Sequence, residues 1–293
     1  MQSFRELLRS ALPFEWAEPD FMLNAFVVIV MLGPLCAALG VKVVNFRMAF
    51  FSDAISHSAF TGVVIGFVIV RLLWHTSPDI DYWDRIIPPI TLIAFGLIVA
   101  AGITALKRRT ELSTDTVIGV FFATVIAGGI ALITRMGLTA NFQRYLFGSI
   151  LTASDADVLA TALLSIATII YLAIAFNGLM LVGLNNALAA SRGICTRLHD
   201  FAFSALLALV VTLSIRTVGL LLVTALLIVP AAAARNLARS VGAMLRWAVA
   251  LGFATGVCGL IAAYYLDTAA GAMIVLFAAL AFACSLMVRG IRA

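Results

Sequence analysis

Long apolar segments separated by short polar links run through nearly the whole sequence. A transmembrane helix needs about 20 apolar residues to cross a hydrocarbon core of about 30 Å, and this criterion predicts nine membrane-spanning helices. We expect them to begin near Phe21, Ala49, Ile86, Thr114, Val158, Phe201, Thr217, Met244 and Ala270. From residue 201 to residue 234 the only charged residue is Arg216, so eight spans is the alternative. The pattern therefore predicts an all-α, polytopic transmembrane helical bundle.

The composition supports this fold class. Hydrophobic residues make up 63% of the 293 residues and charged residues 11%, whereas soluble domains average about 45–50% and about 25%. No polar segment is long enough for a second domain, so we assign residues 21–293 to one transmembrane domain. Charges interrupt residues 1–20 too often for a signal peptide. We expect those residues to form an N-terminal interfacial segment in contact with membrane lipid.

The net charge of +5 arises from basic residues at the ends of apolar segments, so it does not indicate a nucleic-acid partner. Lysine and arginine are retained on the cytoplasmic side of a membrane. If the spans alternate, this side receives the links containing Lys42, residues 107–109, residues 192–197, residues 235–239 and the C-terminal tail. The acidic link of residues 79–84 falls on the outer side, and so does the N-terminus.

Two pairs of glycines are spaced four residues apart inside predicted spans, at Gly62 and Gly66 and at Gly252 and Gly256. Glycines at this spacing leave one side of a helix without side chains, which lets a neighbouring backbone come close. We therefore expect close helix contacts at both pairs.

Ionisable side chains are rare inside the predicted spans. Each one costs about 2.5–3.5 kcal/mol near the bilayer centre, so it needs a physical reason. Asp53 is the one acidic residue well inside a span, and His57 follows it by four residues, which places both on one helix face. Ser56 and Thr61 lie on the same stripe and extend it into a polar face of an intramembrane pathway.

A carboxylate and an imidazole are ligands that suit zinc, manganese or iron. Two ligands alone leave a metal site incomplete, so other helices, water or a second subunit must supply the rest. Such a site suits transient binding during transport better than permanent structural binding. Two alternatives stay open for Asp53 and His57, a structural hydrogen bond between helices and a proton relay.

The sequence lacks the phosphate-binding loop GxxxxGK[ST], since Lys42 is followed by valine and Lys107 by arginine. We therefore expect no ATPase site of that kind, and no enzyme activity of the chain by itself. The link of residues 183–197 is predicted to form a short helix that ends at Gly193. This helix is either an ordinary interfacial connection or a docking site for a separate ATPase, with candidate residues Asn185, Asn186, Ala187, Ala190, Arg192 and Gly193.

Five stretches, in order, resemble the signatures of the zinc and manganese permease family of ABC importers. They are FRMAFFSDAISHSAFTG at residues 46–62, STDTVIGVFFA at 113–123, YLFGSIL at 145–151, VGLLLVTALLIVPAAAARNLARS at 218–240 and YYLDTAAGAMIVL at 264–276. The resemblance covers nearly the whole chain. One departure is Ser52, where the family usually has glycine before the aspartate; it adds a hydroxyl and removes no ligand.

The resemblance implies the permease subunit of an ATP-driven metal importer in a bacterial inner membrane. Its expected partners are a second permease copy, cytoplasmic ABC ATPases and an extracytoplasmic metal-binding protein. Asp53 and His57 would be the ligands of the transported zinc(II) or manganese(II), and the link from Asn185 to Gly193 would be the coupling helix, with no permanently bound cofactor. The competing hypotheses are a proton-coupled secondary carrier and a non-transporting scaffold.

The charge distribution yields a test of orientation. We expect a single cysteine at position 108 to be protected from an impermeant thiol reagent added outside the cell, and one at position 81 to react, because positive charge is retained inside. Strong labelling at position 108 together with none at position 81 would reverse the predicted topology.

Overall fold

The structure is a computed structural model that describes residue 6 and residues 9–10, 14–46, 48–74, 79–137, 150–184 and 186–292. Within these ranges the secondary structure is helical, and the side chains of residues 183–187 and 289–292 fall outside the description. The ten α-helices are α1 (Asp20–Asn45), α2 (Ala49–Trp74), α3 (Ile80–Arg109), α4 (Thr114–Met136), α5 (Asp155–Leu184), α6 (Asn186–Ser191), α7 (Thr196–Val218), α8 (Leu220–Leu237), α9 (Val241–Tyr265) and α10 (Ala270–Arg292). Short 3₁₀ helices cover Glu15–Ala17 and Ile150–Thr152.

Nine of the described helices, all except α6, are long and apolar enough to cross a membrane, which confirms nine spans over eight. The break between the sixth and seventh spans falls at Gly219, which has a φ of 87° and separates α7 from α8. Arg216 lies inside α7. Helix α3 starts at Ile80, six residues before the predicted Ile86, because the polar turns outside the apolar core are helical as well.

The chain divides into two compact units. The first consists of residues 1–46, 147–174 and 217–293, and so contains α1, the first part of α5, α8, α9 and α10. The second consists of residues 47–146 and 175–216, with α2, α3, α4, the rest of α5, α6 and α7. Within each unit the helices pack closely against one another.

In the first unit, α1 packs against α8 and α9 with its glycines at the contacts. A Cβ on Gly33 would lie 2.7 Å from the carbonyl oxygen of Gly252, and a Cβ on Gly252 would lie 2.6 Å from the carbonyl oxygen of Gly33. Further along α1, a Cβ on Gly40 would collide with the Leu227 carbonyl of α8. Gly256 faces Ile29, so the predicted close approach at Gly252 and Gly256 is confirmed.

Polar side chains add specific ties within the first unit. Asn24 Nδ2 of α1 donates to the Ala153 carbonyl at 3.0 Å and to Asp155 Oδ1 at 3.2 Å, which joins α1 to the start of α5. Asn236 of α8 donates to Ser285 Oγ of α10 at 3.0 Å. Hydrogen bonds of this kind hold membrane helices together because lipid offers no alternative partner.

In the second unit, α2 packs against α3 through the other glycine pair. A Cβ on Gly62 would lie 2.8 Å from the Thr91 carbonyl oxygen, and one on Gly66 would lie 2.6 Å from Pro88 Cα. The predicted close approach at Gly62 and Gly66 is therefore confirmed. This contact fixes the rotation of α2 about its own axis and so determines which of its residues face the next helix, α4.

Helix α2 meets α4 at Thr61. The Thr61 hydroxyl, 3% exposed, donates to the Val125 carbonyl at 2.9 Å, and a Cβ on Gly129 would collide with the Thr61 side chain. The neighbouring Gly128 has no described atom within 4 Å of the position where its Cβ would be. The two adjacent glycines therefore differ in their surroundings although they share one helix.

Because Gly128 and Gly129 differ in their surroundings, alanine substitutions at the two positions form a matched pair. We expect Gly129→Ala to destabilise the protein by about 1–3 kcal/mol, the usual cost of overpacking. Gly128→Ala should be neutral or stabilise by up to about 1 kcal/mol, because alanine has the higher helix propensity. Apparent melting temperatures of the purified protein provide the measurement. Equal shifts for the two variants would contradict the α2–α4 contact.

Candidate metal site on helix α2

The predicted polar face lies near the start of α2. Ser52 Oγ donates to the Ala49 carbonyl at 3.0 Å within the first turn, so the hydroxyl at this unusual position is bonded locally. Asp53 and His57 follow on a helix that extends without interruption from Ala49 to Trp74. The regular helix therefore brings the two side chains together, as their spacing predicts.

The carboxylate and imidazole face each other without forming a hydrogen bond. His57 Nε2 lies 3.8 Å from Asp53 Oδ1, which is longer than a nitrogen–oxygen hydrogen bond. The side chains of Asp53 and His57 are 38% and 33% exposed, respectively. Both groups are therefore partly shielded and still accessible from one side.

Helix α4 borders this pair. The edge of one ring meets the face of the other where His57 packs against Phe122, with centroids 5.2 Å apart and planes at 84°. One turn further along α2, Thr61 is bonded to Val125 of the same helix. The face of α2 that carries His57 and Thr61 is thus the face that packs on α4.

The other two predicted members of the polar face differ in their bonding. Ser56 is buried, and its Oγ has no hydrogen-bond partner among the described residues. The Thr61 hydroxyl is committed to Val125 in this arrangement. A free buried hydroxyl is costly in an apolar environment. Ser56 therefore has a hydroxyl that is not bonded to any of the described residues.

Metal-binding groups other than Asp53 and His57 do not gather here. Among the described residues, no cluster of three or more histidine, cysteine, aspartate or glutamate side chains could hold a metal ion. Among the residues that the structure describes, the candidate ligands at this position are therefore Asp53 and His57 alone.

The predicted linking helix is present as α6, and its end has a defined geometry. Gly193 has a φ of +76°, its N–H donates to the Ala190 carbonyl at 3.0 Å, and the N–H of Ile194 donates to the Ala189 carbonyl at 3.1 Å. This pair of bonds is the Schellman motif that ends many helices at a glycine. Gly193 as the helix stop is confirmed.

The candidate docking residues are only partly described. Asn185 lies outside the described residues, and for Asn186 and Ala187 the structure shows the backbone of α6 alone. Ala190 and Arg192 are exposed, whereas the neighbouring Ala189 is fully buried. The described part of the link therefore presents Ala190 and Arg192 outward.

Residue spacing could not reveal the contribution of α4. Phe122 lies within the stretch STDTVIGVFFA at residues 113–123, so the family resemblance marked this segment without giving it a role. Its contact with His57 depends on helix pairing, which the spacing of residues on α2 does not determine. Two of the five signature stretches thus meet at the candidate site.

Comparison with known proteins identifies the family. Residues 18–289 match the model of the ABC 3 transport family. The chain is 31% identical to the manganese import system permease protein ScaB of Streptococcus gordonii, over 92% of this chain and 91% of that protein. It is 30% identical to the high-affinity zinc uptake system membrane protein ZnuB of Haemophilus influenzae, over 92% and 98%.

A solved structure supports the same assignment. The structure of PsaBC from Streptococcus pneumoniae in complex with Fab aligns with a TM-score of 0.75 and 28% identity, and the alignment covers 97% of this chain and 95% of that one. The family match spans far more than half of the sequence. The chain therefore belongs to the ABC 3 transport family and is a multi-pass permease subunit of a bacterial inner membrane.

Proposed function

We propose that this permease imports a divalent transition metal, zinc or manganese, and that Asp53 and His57 bind the ion on its way through the membrane. The observation that carries the proposal is the Asp53–His57 pair on one face of a membrane-spanning helix. Its relatives are named as manganese and zinc import proteins, which agrees with this ligand chemistry. Residues 21–293 act as the transmembrane domain, and residues 1–20 lie at the membrane surface.

The distance between the two side chains fits a bridging ion better than a structural hydrogen bond. Zinc bonds to nitrogen and oxygen are about 2.1 Å long, so two such bonds span up to about 4.2 Å. The 3.8 Å between His57 Nε2 and Asp53 Oδ1 lies within that span and beyond hydrogen-bond range. Both ligands can therefore reach one ion without a change of backbone.

The small number of protein ligands supports transient binding. An ion held by Asp53 and His57 retains water in its other coordination positions, and weak, open coordination favours release. The Ser56 hydroxyl supplies a further oxygen on the same stripe, where it has no hydrogen-bond partner in the part of the chain that the structure describes. Thr61 extends the polar face toward Val125. The oxygens of these two hydroxyl groups can coordinate an ion after it leaves Asp53 and His57.

The energy source is a separate protein in this proposal. The sequence has no phosphate-binding loop, so cytoplasmic ABC ATPase subunits must hydrolyse ATP. They dock on the link from Asn185 to Gly193, where Ala190 and Arg192 are exposed. A second copy of the permease and an extracytoplasmic metal-binding protein complete the assembly.

Substitution of the two ligands separates binding from folding. We expect Asp53→Asn and His57→Gln each to abolish metal uptake while the complex assembles at normal yield, because these changes keep side-chain size and remove a ligand or its geometry. Asp267→Asn is the matched control, since Asp267 has a left-handed φ of 49° that asparagine also tolerates. Uptake of zinc and manganese, assayed separately in proteoliposomes, is the measurement.

The alternatives predict different results for these variants. A structural role predicts much of the uptake retained with a lower melting temperature, because one member of a partly shielded pair loses its partner. A proton relay predicts uptake that follows the pH gradient and continues when ATP is depleted. Near-normal ATP-driven uptake of both metals by the Asp53→Asn, His57→Gln double variant would remove these residues from the transport site.

A large charged side chain introduced on the link tests whether the ATPase docks there. We expect Ala190→Glu to release the ATPase from the permease, because an exposed small residue at a contact becomes a large charged one. Ala269→Glu is the control, an exposed alanine in the link between α9 and α10, which falls on the outer side of the membrane when the spans alternate from an outer N-terminus. Co-purification of the two subunits reports the result. ATPase retained by the Ala190→Glu variant would contradict docking at this position.

A further inference from the structure

We infer that Arg108 is a positioning residue that couples the ATPase-docking link to the transport helices. Arg108 lies in the last turn of α3, and its guanidinium reaches α7 immediately after the link. Its Nη1 donates to Asp200 Oδ2 at 2.8 Å, and its Nη2 donates to Thr196 Oγ1 at 3.2 Å. This inference rests on the proposed function, since it assigns a mechanical role to the link where the ATPase docks.

The forked geometry makes Arg108 a directional anchor. A guanidinium presents its donors in a fixed plane, so two simultaneous bonds determine orientation as well as distance. Both acceptors lie in the first turns of α7, and the side chains of Arg108 and Asp200 are only about one third exposed, at 31% and 34%. A displacement of the link is therefore passed to α3 as well as to α7.

The contact between α3 and α7 continues along both helices in a constant register. Thr104 Oγ1, one turn before Arg108, donates to Ser204 Oγ, one turn after Asp200, at 2.8 Å. Two turns further, Gly96 faces the Thr212 side chain, and its Cβ would lie 2.6 Å from Thr212 Cγ2. The helices thus run antiparallel in close contact, so α3 and the start of α7 move together.

Helix α5, which precedes the link, is also in contact with α7. The ring of His199 lies beside Gly178 of α5, where a Cβ would be 2.6 Å from His199 Nε2. His199 Nδ1 lies 3.1 Å from the Cys195 carbonyl oxygen, which fixes the ring against its own helix. The two helices that flank α6 are therefore both held near the link. Helix α5 contacts His199 of α7, and α7 is bonded to Arg108 of α3.

The anchored helix leads to the candidate metal site. Helix α3 packs on Gly62 and Gly66 of α2, and α2 carries Asp53 and His57. Movement of the link by ATPase subunits thus has a continuous packed route to the ion ligands within one unit of the chain.

The test measures ions taken up per ATP hydrolysed by the full complex in proteoliposomes. We expect Arg108→Ala and Asp200→Ala each to lower this ratio about fivefold or more, the lower range of ordinary coupling free energies. ATPase subunits should remain bound and hydrolysis should continue. The charge-reversed double variant Arg108→Asp, Asp200→Arg should recover much of the ratio. Arg109→Ala, at the exposed neighbouring position, is the control and should leave it unchanged.

The possible outcomes distinguish a coupling role of Arg108 from a purely structural one. A ratio unchanged in Arg108→Ala, or parallel losses of uptake and hydrolysis that the charge reversal does not restore, would show that the contact only stabilises the fold. A ratio lowered equally by Arg109→Ala would attribute the effect to lost positive charge. If the wild-type complex takes up metal without ATP, the proposed function fails, and that result is distinct from failure of the coupling role.

Discussion

Close backbone approach at glycine is the constraint on which this fold depends. Lipid tails are as apolar as leucine, so membrane helices gain little from hiding apolar side chains and associate through van der Waals packing and hydrogen bonds. In the first unit that packing occurs where Gly33 of α1 meets Gly252 of α9. In the second it occurs where Gly62 and Gly66 receive α3. Those contacts fix helix rotation, and helix rotation decides where Asp53 and His57 point.

The candidate site follows from this packing. Helix α2 has glycines toward α3 and packs on α4 through His57 and Thr61, so the imidazole of the Asp53–His57 pair lies beside Phe122. The cost of an ionisable group in the membrane is lowered where it reaches water or a partner, and both side chains are about one third exposed. In the proposed function, two protein ligands with open coordination favour passage of the ion over its retention.

Much of the architecture could be predicted from the sequence because the bilayer imposes a simple rule. Every backbone polar group must be satisfied within the segment, so apolar length alone identifies helices. That rule located nine spans and placed three starts, Ala49, Thr114 and Ala270, at the observed residue. It could not locate the Gly219 break, because hydropathy does not register a backbone dihedral angle. It also missed the first turns of α3, which are polar and still helical.

The site was predictable as far as one helix extends. The four-residue spacing of Asp53 and His57 sets their shared face, and Gly193 ends α6 because only a residue tolerant of positive φ suits that position. The roles of Phe122, Gly129 and Arg108 depend on which helices become neighbours. Such pairings join residues distant in the sequence, and local patterns do not encode them.

The contact between α1 and α9 has a consequence for biosynthesis. Chains are made from the N-terminus at about 5–20 residues per second, so α1, the most buried of the spanning helices described, enters the membrane long before α8 and α9 exist. During that interval its glycine face and Asn24 have only lipid, water or another protein beside them. The second unit can pair α2, α3 and α4 as they emerge. The first unit closes only when the C-terminal quarter of the chain arrives, so α1 stays without its packing partners for most of the synthesis of the chain.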